Sequence, residues 1–320
     1  MEPCSKICPA YKVVNGLRVC VAFDDDYILE AQKFFPRDDD LLIATYPKCG
    51  TTWTQQIVTL LLNHGQPYED FQDFRLRNPF IELLGVDQVK KMPRPGMIKT
   101  HMPFDMINFN PKAKYIYVAR NPKDACVSFF HHTRGIGGYM FSKGDFETYF
   151  ELFINGQVDY NDYFDHLLSW WSQRSNSNVL FLTFEYMKSD IRSTIKTIAK
   201  FFGEQYMKEI EEDPTLIDNI IKYSSFDYMK ARNKSTMVAF AKENPIDTSD
   251  PSVQKFRRVL HNLSASGDGP KRDHEHFRKG VVNDWKNIMS SEQAERLNER
   301  FLQKVSGTGI EKLWNQKDWL

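Results

Sequence analysis

The chain has 320 residues, 41% hydrophobic and 14% aromatic, enough apolar side chain to bury a large core without metals or disulfide staples. Lysine plus arginine and aspartate plus glutamate each number 42, so no global field draws the chain to nucleic acid or to an acidic membrane, and an anionic ligand has to be held by a local cluster. The five cysteines (Cys4, Cys8, Cys20, Cys49, Cys126) form no CxxC pair, the N-terminal segment lacks a signal peptide's apolar core, and no stretch approaches the roughly 20 apolar residues of a membrane span, which predicts free thiols and a cytoplasmic protein.

Residues 1–38 precede the first clear pattern and form an N-terminal extension. The apolar run from Leu41 to Tyr46, ended by Pro47, predicts a strand; Thr51 to Leu62 carries Trp53, Ile57, Leu60 and Leu61 at near-helical spacing, and Asn63 to Gly65 stops it. A short apolar stretch before His101 ends another strand. Lys114 to Ala119 predicts a buried strand, followed by a helix from Pro122 through Phe130 with Asn121 as N-cap and proline at its first position. An aromatic-rich helical pattern over 160–175 leads to a strand at Val179 to Phe184 and a helix at Ile191 to Phe202. These units predict an α/β fold, a single domain over 1–320 with a central parallel sheet flanked by helices and ligands at the carboxyl ends of the strands. The polar stretch 242–276 predicts an extended loop or lid broken by one helix from Val253 to Leu263.

Tyr46 to Trp53, YPKCGTTW, sits where a strand ends and a helix begins, so backbone N–H groups and the positive end of the helix dipole converge on one spot suited to an anion. Lys48 adds a charge, Thr51 and Thr52 add hydroxyls, and Gly50 lets the backbone come close. A Walker loop places its lysine just after the last glycine, whereas Lys48 precedes Gly50, which disfavours an ordinary ATPase or GTPase.

This segment resembles the 5′-phosphosulfate loop of the cytosolic sulfotransferases. Two further segments resemble that family in the same order: Tyr117 to Asp124 (YVARNPKD) with Ser128 resembles its 3′-phosphate strand and helix, and Arg278 to Asn287 (RKGVVNDWKN) its RKGxxGDWKN segment. The resemblance spans roughly residues 40 to 295. It implies the donor 3′-phosphoadenosine 5′-phosphosulfate (PAPS), with PAP as product and no metal. The implied nucleotide contacts are Lys48, Cys49, Gly50, Thr51, Thr52, Trp53, Arg120, Ser128, Phe184, Ser224, Phe226, Phe277, Arg278, Lys279 and Gly280. Trp53 resembles the adenine-stacking residue, although an aromatic there also serves as core. His101, in the KTH segment, is implied as general base, with Lys48 and Lys99 stabilising charge on the leaving phosphate. The resemblance implies sulfuryl transfer to a hydroxyl of a small phenolic or aromatic-amine-type acceptor by in-line attack.

The chain departs from the family at several points. Cys49 replaces serine at a helix N-terminus beside Lys48, a setting that lowers a thiol's pKa and predicts inhibition by oxidants. Phe184 replaces a tyrosine, Ser224 a threonine, and Asn283 a glycine, asparagine being the residue that best tolerates left-handed backbone after glycine. The dimer segment KxxxTVxxxE survives only as Lys286 and Glu295 around Ser290-Ser291, which predicts a monomer or weak homodimer. Phe74, Phe80, Tyr139, Phe141 and Phe240 are candidate walls for a phenol, a phenolic amine or a steroid alcohol, while Trp170-Trp171 and Phe129 to His132 are expected in the core. Two other functions compete: a P-loop phosphotransferase, for which no Walker lysine or Mg²⁺ carboxylate can be placed, and a non-catalytic nucleotide-site protein that sequesters a small ligand, which needs neither Lys99 nor His101.

Overall fold

A computed structural model describes residues 7–68, 71–232 and 278–314; the expected lid at 242–276, Phe240 and Phe277 lie outside the described residues. The chain opens with β1 (Tyr11–Val14) and β2 (Leu17–Cys20), an antiparallel hairpin turning at Asn15 and Gly16, both with positive φ. An Asn-Gly pair adopts this turn readily and matches the twist of the strands. The sequence reading passed over this hairpin and helix α1 (Asp25–Lys33), yet Leu17, Val19 and Ile28 are fully buried, so the extension is part of the core.

The central sheet has four parallel strands in the order β4-β3-β5-β6: β3 (Leu41–Thr45), β4 (Ile98–Thr100), β5 (Lys114–Ala119) and β6 (Val179–Thr183). Leu42 pairs with Ile98 on one side and Tyr115 on the other, and Tyr117 pairs with Phe181. Helices follow in chain order: α2 (Thr51–Leu62), α3 (Phe71–Leu76), α4 (Ile81–Leu84), α5 (Val86–Lys91), α6 (Pro122–Gly135), α7 (Phe146–Ile154), α8 (Tyr163–Trp171), α9 (Phe184–Ser189), α10 (Ile191–Phe202), α11 (Glu204–Glu212) and α12 (Thr215–Tyr223). The bounds of α2 and α10 match the sequence reading. Helix α6 runs past Phe130, because the residues to Gly135 continue its buried face through Thr133, and Asn121 caps it by accepting from the Lys123 amide.

Strand side chains alternate between two cores, as the pleat requires. Leu41, Ile43, Ile116 and Val118 meet the aliphatic faces of α2, α10 and α12. Leu42, Ala44, Tyr115 and Tyr117 meet an aromatic core that includes Phe129 and Phe130 of α6 and Trp170 of α8, as expected for those three rings; Trp171, His131 and His132, also expected in the core, are only partly buried, and both histidines line the cavity described below. Each strand's carboxyl end leads into a residue of the site: β3 into the 46–50 loop, β4 into His101, β5 into Arg120, and β6 into Phe184.

Candidate active site

One cavity of about 540 Å³ opens at those strand ends. It brings together Lys48, Gly50, Thr51, Thr52, Trp53, Lys99, His101, Arg120, Ser128, Phe184, Ser224, Phe226, Arg278, Lys279 and Gly280, every expected site residue within the described residues except Cys49.

The loop after β3 turns through two left-handed residues, Lys48 (φ 69°) and Gly50 (φ 105°), which carries the chain straight into α2. No side chain caps α2, so the amides of its first turn have no side-chain acceptor at the N-cap. Lys48 loses solvent and gains cationic neighbours: burial first, then Lys99, Arg120 and Arg278, lower its pKa to about 7. Cys49 corrects the sequence reading. Its thiol is wholly buried, faces the Pro47 carbonyl 3.8 Å away and lies outside the cavity lining, and burial pushes its pKa up despite Arg120 and Lys48. Desolvation outweighs the helix end, and a thiol with neither access nor thiolate character is not an oxidant sensor.

Arg120 ties the site together. Its guanidinium lies 4.4 Å from the centre of the Phe184 ring and donates to the carbonyls of Lys48 (3.1 Å) and Val281 (2.9 Å), while its Nε is buried with no hydrogen-bond partner. The segment after residue 277 is held by Asp124, whose carboxylate accepts from the backbone amides of Asn283 (2.7 Å) and Trp285 (3.1 Å). Asn283 is left-handed at φ 66°, as its replacement of glycine predicted. Asp284 is nearly buried and pairs with both Arg278 and Lys279; burial alone would raise its pKa, and those hydrogen bonds bring it to about 2. Trp53 meets Phe184 edge to face at 5.5 Å, forming an aromatic corner beside Arg120.

His101 sits 7% exposed at the end of β4. Its Nδ1 lies 2.8 Å from the Thr45 carbonyl and 3.2 Å from the Thr45 hydroxyl. A carbonyl only accepts, so Nδ1 carries the proton and Nε2 is the unprotonated nitrogen, on a ring that lines the cavity. Burial first, then Lys99, holds the imidazole pKa well below its ordinary value, so the ring is neutral. Two residues that the sequence reading missed fix the backbone here. Glu82, fully buried, accepts from the His101 amide (2.6 Å) and the Thr100 hydroxyl (2.9 Å). His166 Nε2 lies 3.0 Å from the His101 carbonyl, and its Nδ1 lies 3.0 Å from the Tyr117 hydroxyl. Neither has a local motif, because both reach His101 only through the fold.

Beyond His101 the cavity is aromatic. Phe80 meets the imidazole edge to face at 5.1 Å, Tyr160 at 5.3 Å, and the Lys99 ammonium lies 4.1 Å from the Phe80 ring centre. Of the expected acceptor walls, Phe80 and Tyr139 line the cavity; Phe74 does not, and Phe141 is fully buried in the core.

The family model described as a sulfotransferase domain matches residues 38–309. Sulfotransferase 1C2 of Homo sapiens is 35% identical over 310 residues, covering 93% of this chain and 94% of that protein. Sulfotransferase 1B1 of Mus musculus is 33% identical over 311 residues, covering 94% and 93% respectively. Among solved structures, mouse sulfotransferase SULT7A1 complexed with PAP superposes with a TM-score of 0.67 at 25% identity, covering 95% of this chain and 97% of that one. With the domain model spanning most of its length and relatives this similar along nearly all of it, the chain belongs to the sulfotransferase family and is a sulfotransferase enzyme.

Proposed function

We propose that the enzyme transfers the sulfuryl group of PAPS to the hydroxyl of a small phenolic acceptor, with His101 as general base. The observation that carries this reading is the juxtaposition, in one cavity, of a neutral imidazole with an unprotonated Nε2 and a group of partly desolvated cations at a helix N-terminus. The residues fit a nucleotide with a phosphate at each end. The first-turn amides of α2 are uncapped, and the buried Arg120 Nε has no partner. The backbone also comes close where it must: a Cβ at Gly280 (φ 64°) would stand 2.5 Å from the Phe226 ring, and one at Gly50 would stand 3.0 Å from Phe184. The mouse relative was solved with PAP, which supports the same donor here.

Bound there, PAPS supplies an activated sulfuryl group. Lys48, Thr51, Thr52 and the α2 amides hold its 5′ end; Arg120, Ser128, Arg278, Lys279 and the backbone at Gly280 hold its 3′-phosphate. Trp53, Phe184, Ser224 and Phe226 take the adenine side of the cavity. His101 Nε2 accepts the proton of the acceptor hydroxyl as attack proceeds, and Lys48 and Lys99 stabilise charge on the departing phosphate oxygen. The aromatic walls favour a flat ring, the acceptor class that the hydrophobic lining supports best.

The test is transfer of radiolabelled sulfate from PAPS to a panel of phenols, phenolic amines and steroid alcohols by wild type and His101→Ala. Transfer by wild type that collapses in the variant supports the reading. Tight PAP binding with transfer to no acceptor would replace it with a sequestering role.

A further inference from the structure

Two threonine hydroxyls beside His101 form a chain that the chemistry above does not use. Thr45, at the end of β3, is fully buried; Thr51, the first residue of α2, is 6% exposed and lines the cavity. Thr45 Oγ lies 2.6 Å from Thr51 Oγ and 3.2 Å from His101 Nδ1. Among the described residues neither hydroxyl has another hydrogen-bond partner.

The direction of the chain follows from its fixed end. His101 Nδ1 carries a proton, because the Thr45 carbonyl 2.8 Å away only accepts. Thr45 Oγ therefore faces an N–H on that side and offers it a lone pair. A hydroxyl has one hydrogen, and leaving that hydrogen unpaired in a site sealed from water is costly, so the Thr45 O–H donates to Thr51 Oγ. Thr51 accepts from Thr45, and its own hydrogen is left for the cavity. The order is His101 Nδ1–H to Thr45 Oγ–H to Thr51 Oγ–H, with every donor pointing the same way.

Such a chain links the two ends of the site. Thr51 stands at the uncapped end of α2, beside the place proposed for the donor's 5′ end, and His101 faces the acceptor. Donors aligned in series polarise one another. When His101 Nε2 takes the acceptor's proton, the imidazolium makes Nδ1–H a stronger donor, and through Thr45 it strengthens the Thr51 O–H. No proton moves along the chain. The acceptor oxygen bonds to sulfur, the bond from sulfur to the phosphate oxygen breaks with its electron pair left on that oxygen, and the waiting Thr51 hydrogen bond tightens as the charge arrives.

We propose that Thr45 is a positioning residue that couples the base to the leaving group, aligning the Thr51 hydroxyl as a donor to the 5′-phosphate oxygen and strengthening it as His101 is protonated. This rests on the reading above of His101 as base and of Thr51 at the donor's 5′ end.

PAP carries the departed oxygen with its charge, so its binding reads the chain without turnover. Calorimetry is expected to show PAP bound about tenfold more weakly by Thr51→Val, which loses a charge-assisted hydrogen bond, and about threefold more weakly by Thr45→Val, which keeps the carbonyl that holds His101. Thr45→Ser should restore wild-type affinity. The double variant Thr45→Val/Thr51→Val should bind no more weakly than Thr51→Val, since Thr45 acts through Thr51. Additive losses, or wild-type affinity in Thr45→Val, would overturn the proposal. NMR of ¹⁵N-histidine-labelled protein reads the link to the base: saturating PAP should shift the His101 imidazole resonances, identified by their absence in His101→Ala, in wild type and not in Thr51→Val. A shift that persists in Thr51→Val, or none in wild type, overturns the proposal, and this arm decides should Thr45→Val fail to fold. Sulfate transfer that survives in His101→Ala would remove the base reading and the proposal with it, whereas transfer lost in that variant together with additive PAP losses would remove the chain alone.

Discussion

The base role proposed for His101 rests on what surrounds it. Thr45 fixes its tautomer, Glu82 and His166 fix its backbone, and burial keeps it neutral. His101→Ala is expected to lower kcat by about 10²- to 10⁴-fold, the range for removing a general base, while PAP affinity by calorimetry stays near wild type. The acid side of the pH profile follows. A histidine already neutral has no proton to lose, so kcat/KM should not fall between about pH 7 and pH 6, where an ordinary imidazole with pKa near 6.5 would cost more than half the rate. On the alkaline side Lys48 and Lys99, lowered to about 7 and about 8, lose the charge that attracts the donor, so kcat/KM for PAPS should fall as pH rises through that window. Stopped assays from pH 5.5 to 9 check both limbs. Cys49 makes the opposite point: mass mapping after a brief thiol-labelling reaction should find Cys8, which is exposed, modified and Cys49 untouched until urea is added.

At the level of elements, the local rules were legible where the chain carries punctuation. Pro47, the Asn121-Pro122 cap and Gly203 bound β3, α6 and α10, and the sequence reading placed these elements to within a few residues except at the C-terminal end of α6. What escaped was set by tertiary contact. Glu82 stands 19 residues before His101 and carries no motif of its own; the Asn15-Gly16 hairpin, by contrast, carried its own signal, an Asn-Gly pair between Val13-Val14 and Leu17 to Cys20, and the sequence reading passed over it. Ser290, read as a lost dimer contact, acts locally and caps the helix Ser291–Val305 in a capping box with Gln293. The turn at 283–285 depends on α6 through Asp124. Asp124→Ala should leave one buried and one partly buried amide unpaired and destabilise the fold by about 2 kcal/mol in urea titrations, with a larger loss of PAP affinity than of secondary structure.

Across the whole molecule, the proposed donor site gathers parts that are remote in sequence: the loop after β3, the end of β5 and the segment after residue 277, joined through Arg120. A ligand that binds these parts only when folded stabilises them all. PAP at a hundred times its Kd is expected to add about 2.7 kcal/mol, seen as a rise in Tm that Arg120→Lys largely removes because a single ammonium cannot hold both carbonyls. The general plan of the site was legible because anion binding needs dense, ordered motifs. Its far end was legible only in part: Phe80 and Tyr139 were expected as walls, whereas Tyr160 meets His101 only through folding. Asp284 has one more effect. By sitting between Arg278 and Lys279 it serves as a built-in counter-ion, so the resting enzyme need not recruit chloride or other salt anions to that end of the cleft. Fewer solution ions are then released when the nucleotide arrives, and its affinity should decline less steeply with ionic strength than the number of cations in the cleft implies.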